Sequence, residues 1–155
     1  MYRGGSARIL TEVFSSAGKT VNLFDTFAGM PKVNAELDLH REGDFSDTSV
    51  EKVEMQLEGL GNYRLFQGLF PDTGESVEGD TFCMVHVDVD IYQSVKDCCR
   101  FFYPKLAAGG IMVFDDYGEP SCPGAKRAVD EFFRDRPETP VYIPTGQCLI
   151  TRLPA

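Results

Sequence analysis

Two pairs of aspartates are the residues best placed to do chemistry in this sequence. In "FCMVHVDVDIYQS" an apolar run ends at Val87 and is followed by Asp88 and Asp90. In "GGIMVFDDYGE" a second run, 111–114, stops at Asp115 and Asp116, and a shorter one, "TVNLF", stops at Asp25. Short apolar runs bounded by turn signals read as buried strands, so the acids stand at strand ends. Carboxylates gathered on one rim repel unless some are protonated or a cation offsets them. Hard oxygen donors without clustered His or Cys point to Mg2+, Mn2+ or Ca2+ over zinc. The plainer explanation is that each Asp caps the loop or helix that follows. It accounts well for any one of them and poorly for Asp88, Asp115 and Asp116 together.

The elements that would position these acids alternate. Apolar residues Ile9, Leu10, Val13 and Phe14 lie on one face of a helix over 6–14, with Ser6 as its expected N-cap. A strand follows over 20–24, a helix around Val50, Val53 and Leu57, and a strand over 63–68. The Gly- and Pro-containing stretches "DTFAGMPK" and "GLFPDTGESVEGD" read as loops. Then come a strand over 82–87, a helix over 92–103, a strand over 111–114, a helix over 124–134, and two short strands over 141–143 and 147–153 joined by a Pro-Thr-Gly turn. Alternation of this kind predicts an α/β fold with a mostly parallel sheet, helices on both faces and a C-terminal antiparallel hairpin. Ligands of such sheets sit beyond the carboxyl ends of the strands. The order glycine turn ("YRGGSAR"), helix, strand and acid (Asp25) fits a nucleotide-type site: backbone N–H groups at a helix start hold anions, and an acid after the next strand holds ribose hydroxyls.

Bulk properties narrow the field. A chain of 155 residues with 43% hydrophobic residues suits a single folded domain. A net charge of −9 without a Lys/Arg cluster argues against nucleic acid and against anionic membranes. No apolar run approaches the ~20 residues of a bilayer span, and "MYRGGSARIL" does not read as a signal peptide. Five cysteines, with Cys98 and Cys99 adjacent and no CxxC, read as ordinary thiols and fit a cytoplasmic setting.

Several segments, in order, carry a family pattern: "YRGGSARIL", "LFDTFAGMP", "GDFSDTSVEKV", "FQGLFPDT", "VDVDIYQSVKDCCRFFYPKLAAGGIMVFDDYG" and "GAKRAVDEFF". On these the chain resembles the macrocin O-methyltransferase family, whose members methylate sugar hydroxyls of antibiotics. The resemblance implies a Rossmann-like methyltransferase fold that binds S-adenosylmethionine and Mg2+ and acts on a small-molecule acceptor. It implies Asp88, Asp115 and Asp116 as metal ligands, with Asp88 also the general base and Asp90 orienting the site. By the same resemblance Gly4, Gly5 and Ser6 line the methionine end of the cofactor. Asp25, Thr26 and Phe27 lie by its ribose. Asp44, Phe45 and Ser46, with Phe70, Pro71 and Asp72, lie toward its adenosine. His86 is expected to bond locally, and His40 competes for the role of base. Acceptor contacts are expected in loops 31–42 and 119–123.

The family pattern has a strand and helices before "YRGGS", so the chain is expected to be incomplete at its N-terminus and to lack the first, central strand. Open strand edges then predict homo-oligomerisation or a rearranged sheet. Two other readings stand beside the methyltransferase. "VDVD" is also the DxD of metal-dependent glycosyltransferases, and the fold could persist as a non-catalytic binding or assembly module.

Overall fold

The computed structural model describes residues 1–154 and divides into two compact units. Unit 1 comprises Met1–Pro31 and Glu42–Thr73; unit 2 comprises Lys32–Arg41 and Gly74–Ala155.

In unit 1, helix α1 (Gly5–Ser15) is followed by strand β1 (Val21–Asp25), helix α2 (Val50–Gln56) and strand β2 (Tyr63–Gln67). The strands run parallel, Val21 opposite Tyr63 and Asp25 opposite Gln67. Ala7, Leu23, Phe27, Val53 and Leu57 form the core, flanked by Val21, Val50 and Leu65. The N-cap of α1 is Gly4, at φ 87°, and not Ser6, which lies inside the first turn. Ser49 does cap α2, its side chain accepting from the Lys52 N–H.

In unit 2, strand β3 (Phe82–Val87), helix α3 (Tyr92–Phe102), strand β4 (Leu106–Phe114), helix α4 (Pro123–Phe133) and strands β5 (Val141–Tyr142) and β6 (Cys148–Thr151) follow in order. The sheet order is β3-β4-β6-β5. β3 and β4 are parallel; β6 is antiparallel to both β4 and β5. The register puts Val85 beside Met112 and Ile150, and Val87 beside Phe114 and Cys148. All six are buried, because side chains two apart on paired strands share a face. Phe114 packs edge-on against Phe133 of α4, and Phe82 against Phe102 of α3. The opposite face carries His86, Val113 and Leu149, half-buried, and Ile111, which is exposed. Behind α4, the buried Glu138 accepts from the Tyr103 hydroxyl, the Arg152 guanidinium and the Leu153 N–H. Burial alone would raise the Glu138 pKa; these bonds outweigh it and hold the carboxyl down at about 2.

Two elements differ from the expectation. Asp72–Val77 is a 3-10 helix within the stretch read as loop. β4 starts five residues earlier than read, at Leu106, where small residues and glycines mask the strand signal. Among the described residues β1 pairs only with β2, and β3 only with β4. No described helix is long and apolar enough to cross a membrane.

Candidate functional site

The two kinds of residue singled out by sequence fall in different units. Every residue expected to hold S-adenosylmethionine lies in unit 1, and every expected metal ligand lies in unit 2.

In unit 1 the expected segments are gathered by backbone bonds. Asp25 ends β1, and its carboxylate accepts from the N–H groups of Phe27 (2.8 Å) and Tyr2 (3.3 Å). It therefore ties the glycine turn to the loop after β1. The Thr26 hydroxyl donates to the Gly29 carbonyl at 2.9 Å. Met30 N–H donates to Asp44 O and Gly43 N–H to Met30 O. At Gly29, with φ 86°, a Cβ would stand 2.7 Å from the carbonyl oxygens of both Gly43 and Asp44; only glycine fits. The Tyr2 ring meets Phe45 edge-on at 5.4 Å, and its hydroxyl donates to Asp47 at 2.5 Å. Phe70, joined to Pro71 by a cis peptide bond, packs on Phe24, and Gly68 N–H donates to Asp25 O. Residues 25–27, 44–46 and the turn at 1–4 are thus linked directly, and residues 70–72 through the aromatic contact.

In unit 2, Asp88, Asp90 and Asp116 bring carboxylate oxygens within 4.8 Å of one another. The Asp90 N–H donates to Asp116 Oδ2 at 3.1 Å. Asp116, pushed up by burial and then by the charges of Asp90 and Asp88, titrates at about 7. Burial and Asp88 raise Asp90 as well, against a lowering by His40. Asp115 stands apart from this group. It accepts from Gln147 Nε2 at 2.7 Å and lies 3.5 Å from His86 Nε2. His86 pairs with Val113, and Asp115, two residues on, shares their face; past the end of β4 the chain leaves the strand, and Asp116 rather than Asp115 meets Asp88 and Asp90. Asp90, at φ 57°, turns back and supplies the third carboxylate. Three hard oxygen donors, of which Asp116 and Asp90 are raised by burial and by neighbouring carboxylates, suit Mg2+, whose trans oxygens lie about 4.2 Å apart.

Backbone strain marks the same places. Among the described residues, the non-glycine ones at positive φ are Tyr2, Phe27, Phe45 and Asp90. Bulky residues avoid this region, and where they hold it the reason is often functional. Sequence reading named Phe27 and Phe45 but gave Asp90 only a supporting part. It did not connect His40 with Cys122, whose Sγ lies 3.4 Å from His40 Nε2. Burial pushes the Cys122 thiol up to about 12, so it is not a nucleophile at neutral pH.

Parallel strands crossed over by helices, with an antiparallel closing strand and acids at the strand ends, define a Rossmann-like α/β domain of the methyltransferase type. The chain belongs to the macrocin O-methyltransferase (TylF) family, whose model matches residues 1–141. It is 30% identical over 146 residues to demethyldecarbamoylnovobiocin O-methyltransferase of Streptomyces niveus, covering 85% of this chain and 55% of that protein. It is 30% identical over 152 residues to mycinamicin III 3''-O-methyltransferase of Micromonospora griseorubida, covering 88% and 58%. The solved O-methyltransferase NovP superposes with a TM-score of 0.85 at 28% identity, covering 99% of this chain and 69% of that one. The chain thus spans about half the length of the curated relatives it matches.

Proposed function

We propose that this chain carries the cofactor- and metal-binding part of an S-adenosylmethionine- and Mg2+-dependent O-methyltransferase. Its acceptor would be a hydroxyl of a sugar or similar vicinal diol in a small-molecule natural product. The observation that carries this reading is the Asp88–Asp90–Asp116 group in a chain whose family membership runs over residues 1–141. Its relatives act on novobiocin- and mycinamicin-type molecules by their names.

S-adenosylmethionine would supply the methyl group as a sulfonium electrophile. Mg2+, held by Asp88, Asp90 and Asp116, would supply the charge that acidifies a hydroxyl otherwise too basic to react. Asp88 would accept the proton that the acceptor hydroxyl gives up. Gly4, Gly5 and Ser6 would meet the methionine end through backbone N–H groups at the start of α1. Asp25, Thr26 and Phe27 would face the ribose, and Asp44, Phe45, Ser46, Phe70, Pro71 and Asp72 the adenosine. The direct bonding of the first three of these segments within unit 1 supports that assignment, as does the strain at Phe27 and Phe45. Asp115, bound to Gln147, would position the loop after β4 without holding the ion itself. We place the protein in the cytoplasm, where its five free thiols stay reduced. Self-association is expected through the open edges of β1 and β3.

Calorimetric titration with S-adenosylmethionine, with a nucleotide-sugar and with Mg2+ tests the reading. Heat from the first and the last is expected. Binding of the nucleotide-sugar with Mg2+ but not of S-adenosylmethionine would replace the methyltransferase by a DxD glycosyltransferase. Binding of neither small molecule would leave an assembly module.

A further inference from the structure

His40, Asp90 and Cys122 are far apart in sequence and carry three different metal-binding atoms: an imidazole nitrogen, a carboxylate oxygen and a thiol sulfur. In unit 2 they converge. Cys122 Sγ lies 3.4 Å from His40 Nε2 and 3.8 Å from Asp90 Oδ1, and His40 Nε2 lies 3.9 Å from Asp90 Oδ1. Cys122 is 2% exposed, and the side chains of His40 and Asp90 are 14% and 18% exposed.

Each of the three is held in place by its own local structure. Cys122 is the N-cap residue of α4, yet its side chain makes no capping bond and turns instead toward His40. Asp90 is fixed by its left-handed backbone and its N–H bond to Asp116. His40 follows the buried Asp38, whose Oδ1 accepts the Tyr92 N–H at 2.8 Å at the start of α3. That carboxylate occupies the space over Gly124, where a Cβ would stand 1.9 Å from Asp38 Oδ1. The loop bearing His40 is therefore seated against the first turns of both α3 and α4.

Without an ion the three side chains are joined by a thiol–imidazole hydrogen bond, a thiol–carboxylate hydrogen bond and an imidazole–carboxylate ion pair. A tetrahedral ion would take the same three atoms as ligands at once. With Zn–S near 2.3 Å and Zn–N or Zn–O near 2.0–2.1 Å, ligand atoms stand about 3.3–3.6 Å apart. Of the observed edges, sulfur to nitrogen at 3.4 Å and sulfur to oxygen at 3.8 Å lie within about 0.3 Å of these values, and nitrogen to oxygen at 3.9 Å needs to close by about half an ångström. The sulfur and imidazole select a softer cation than Mg2+.

We propose that His40 Nε2, Asp90 and Cys122 Sγ form a binding site for a thiophilic divalent cation, Zn2+ foremost, distinct from the all-carboxylate group and sharing Asp90 with it. On binding, the Cys122 S–H bond breaks, a sulfur–metal bond forms and the proton leaves to solvent; a water completes the fourth position. Because Asp90 belongs to both groups, occupancy by Zn2+ weakens Mg2+ binding. The site stands on its own residues and does not depend on the methyl-transfer reading.

Cobalt serves as the probe. The full chain, stripped with chelator and titrated with Co2+, is expected to show a near-ultraviolet sulfur-to-cobalt charge-transfer band and to bind roughly one Zn2+ in competition. Cys83→Ser, which removes the exposed thiol, is expected to keep the band; Cys122→Ser is expected to lose it. His40→Gln, at a side chain outside the hydrophobic core, is expected to weaken Zn2+ at least tenfold. Absence of the band in the unaltered chain, its survival in Cys122→Ser, or its loss in Cys83→Ser alone overturns the site. Should Cys122→Ser fail to fold, His40→Gln decides: unchanged Zn2+ affinity overturns the proposal and the tenfold loss upholds it.

Discussion

The two units build candidate sites from opposite materials. In unit 1 the segments are positioned by main-chain bonds: Met30 N–H donates to Asp44 O and Met30 O accepts from Gly43 N–H, and Asp25 collects N–H groups. In unit 2 the candidate chemistry is carried by side-chain carboxylates that oppose one another, with Asp116 held up at about 7. A site made of backbone cannot be altered without altering the fold. A site made of crowded like charges is a burden on the fold, and removing a charge relieves it. Substitutions should therefore fail in different ways in the two units.

The sharpest break is expected at Gly29. Gly29→Val places a branched side chain at positive φ against two carbonyl oxygens. It should destabilise unit 1 by about 3–4 kcal/mol, read as a lower denaturation midpoint and faster hydrogen exchange over 20–30 and 42–46. If the loss is below about 1 kcal/mol, the main chain does not govern that region.

Unit 2 also holds a charge that belongs to its architecture, and this separates structural from site acids. Glu138→Gln leaves Arg152 without its carboxylate partner and should cost about 3 kcal/mol. Asp116→Asn should act in the other direction. In metal-free buffer at pH 8 it should stabilise the chain by about 2 kcal/mol while lowering Mg2+ affinity in calorimetry. Destabilisation by Asp116→Asn would remove the contrast between the units.

The pH dependence follows with a definite sign. The Asp116 pKa is raised on folding, from 3.8 to about 7. Its contribution is fully present below about pH 4 and is lost as pH rises through about 7. The metal-free chain should thus gain stability between pH 8 and pH 5, and saturating Mg2+ or Asp116→Asn should flatten that slope. Glu138, lowered from 4.5 to about 2, contributes above pH 4.5 and loses that contribution as pH falls through 2. The smallest effect is expected at Gly5, where a Cβ meets nothing within 4 Å. Gly5→Ala should stabilise α1 by up to about 1 kcal/mol, and if backbone at Gly5 approaches the cofactor it should still weaken S-adenosylmethionine binding.

Much of this arrangement is legible in the residues. Apolar runs with acids at their ends located β1, β3 and β4, and the bounds of β3 fall on Phe82 and Val87 as read. Helical periodicity located α1, α3 and α4 to within two residues at each end. The α1 cap was misplaced because Gly4 competes with Ser6 and only a positive φ at the turn decides between them. The 3-10 helix at Asp72–Val77 was hidden because its Asp, Gly and Ser residues carry turn chemistry equally well.

The choice among the acids lay beyond sequence. Asp115 and Asp116 are neighbours with the same chemistry, and the turn that follows β4 leaves one against His86 and Gln147 and the other with Asp88 and Asp90. Asp90 joins the group only because its backbone turns to φ 57°. Local pattern, set by covalent neighbours and the burial of apolar side chains, determined the strands, the helices and the placing of acids at strand ends. Which carboxylates meet, and that His40 and Cys122 meet at all across 82 residues, was decided by tertiary packing. Donor atoms are brought within ångströms of one another by how loops seat on helix ends, and spacing along a chain does not encode that distance.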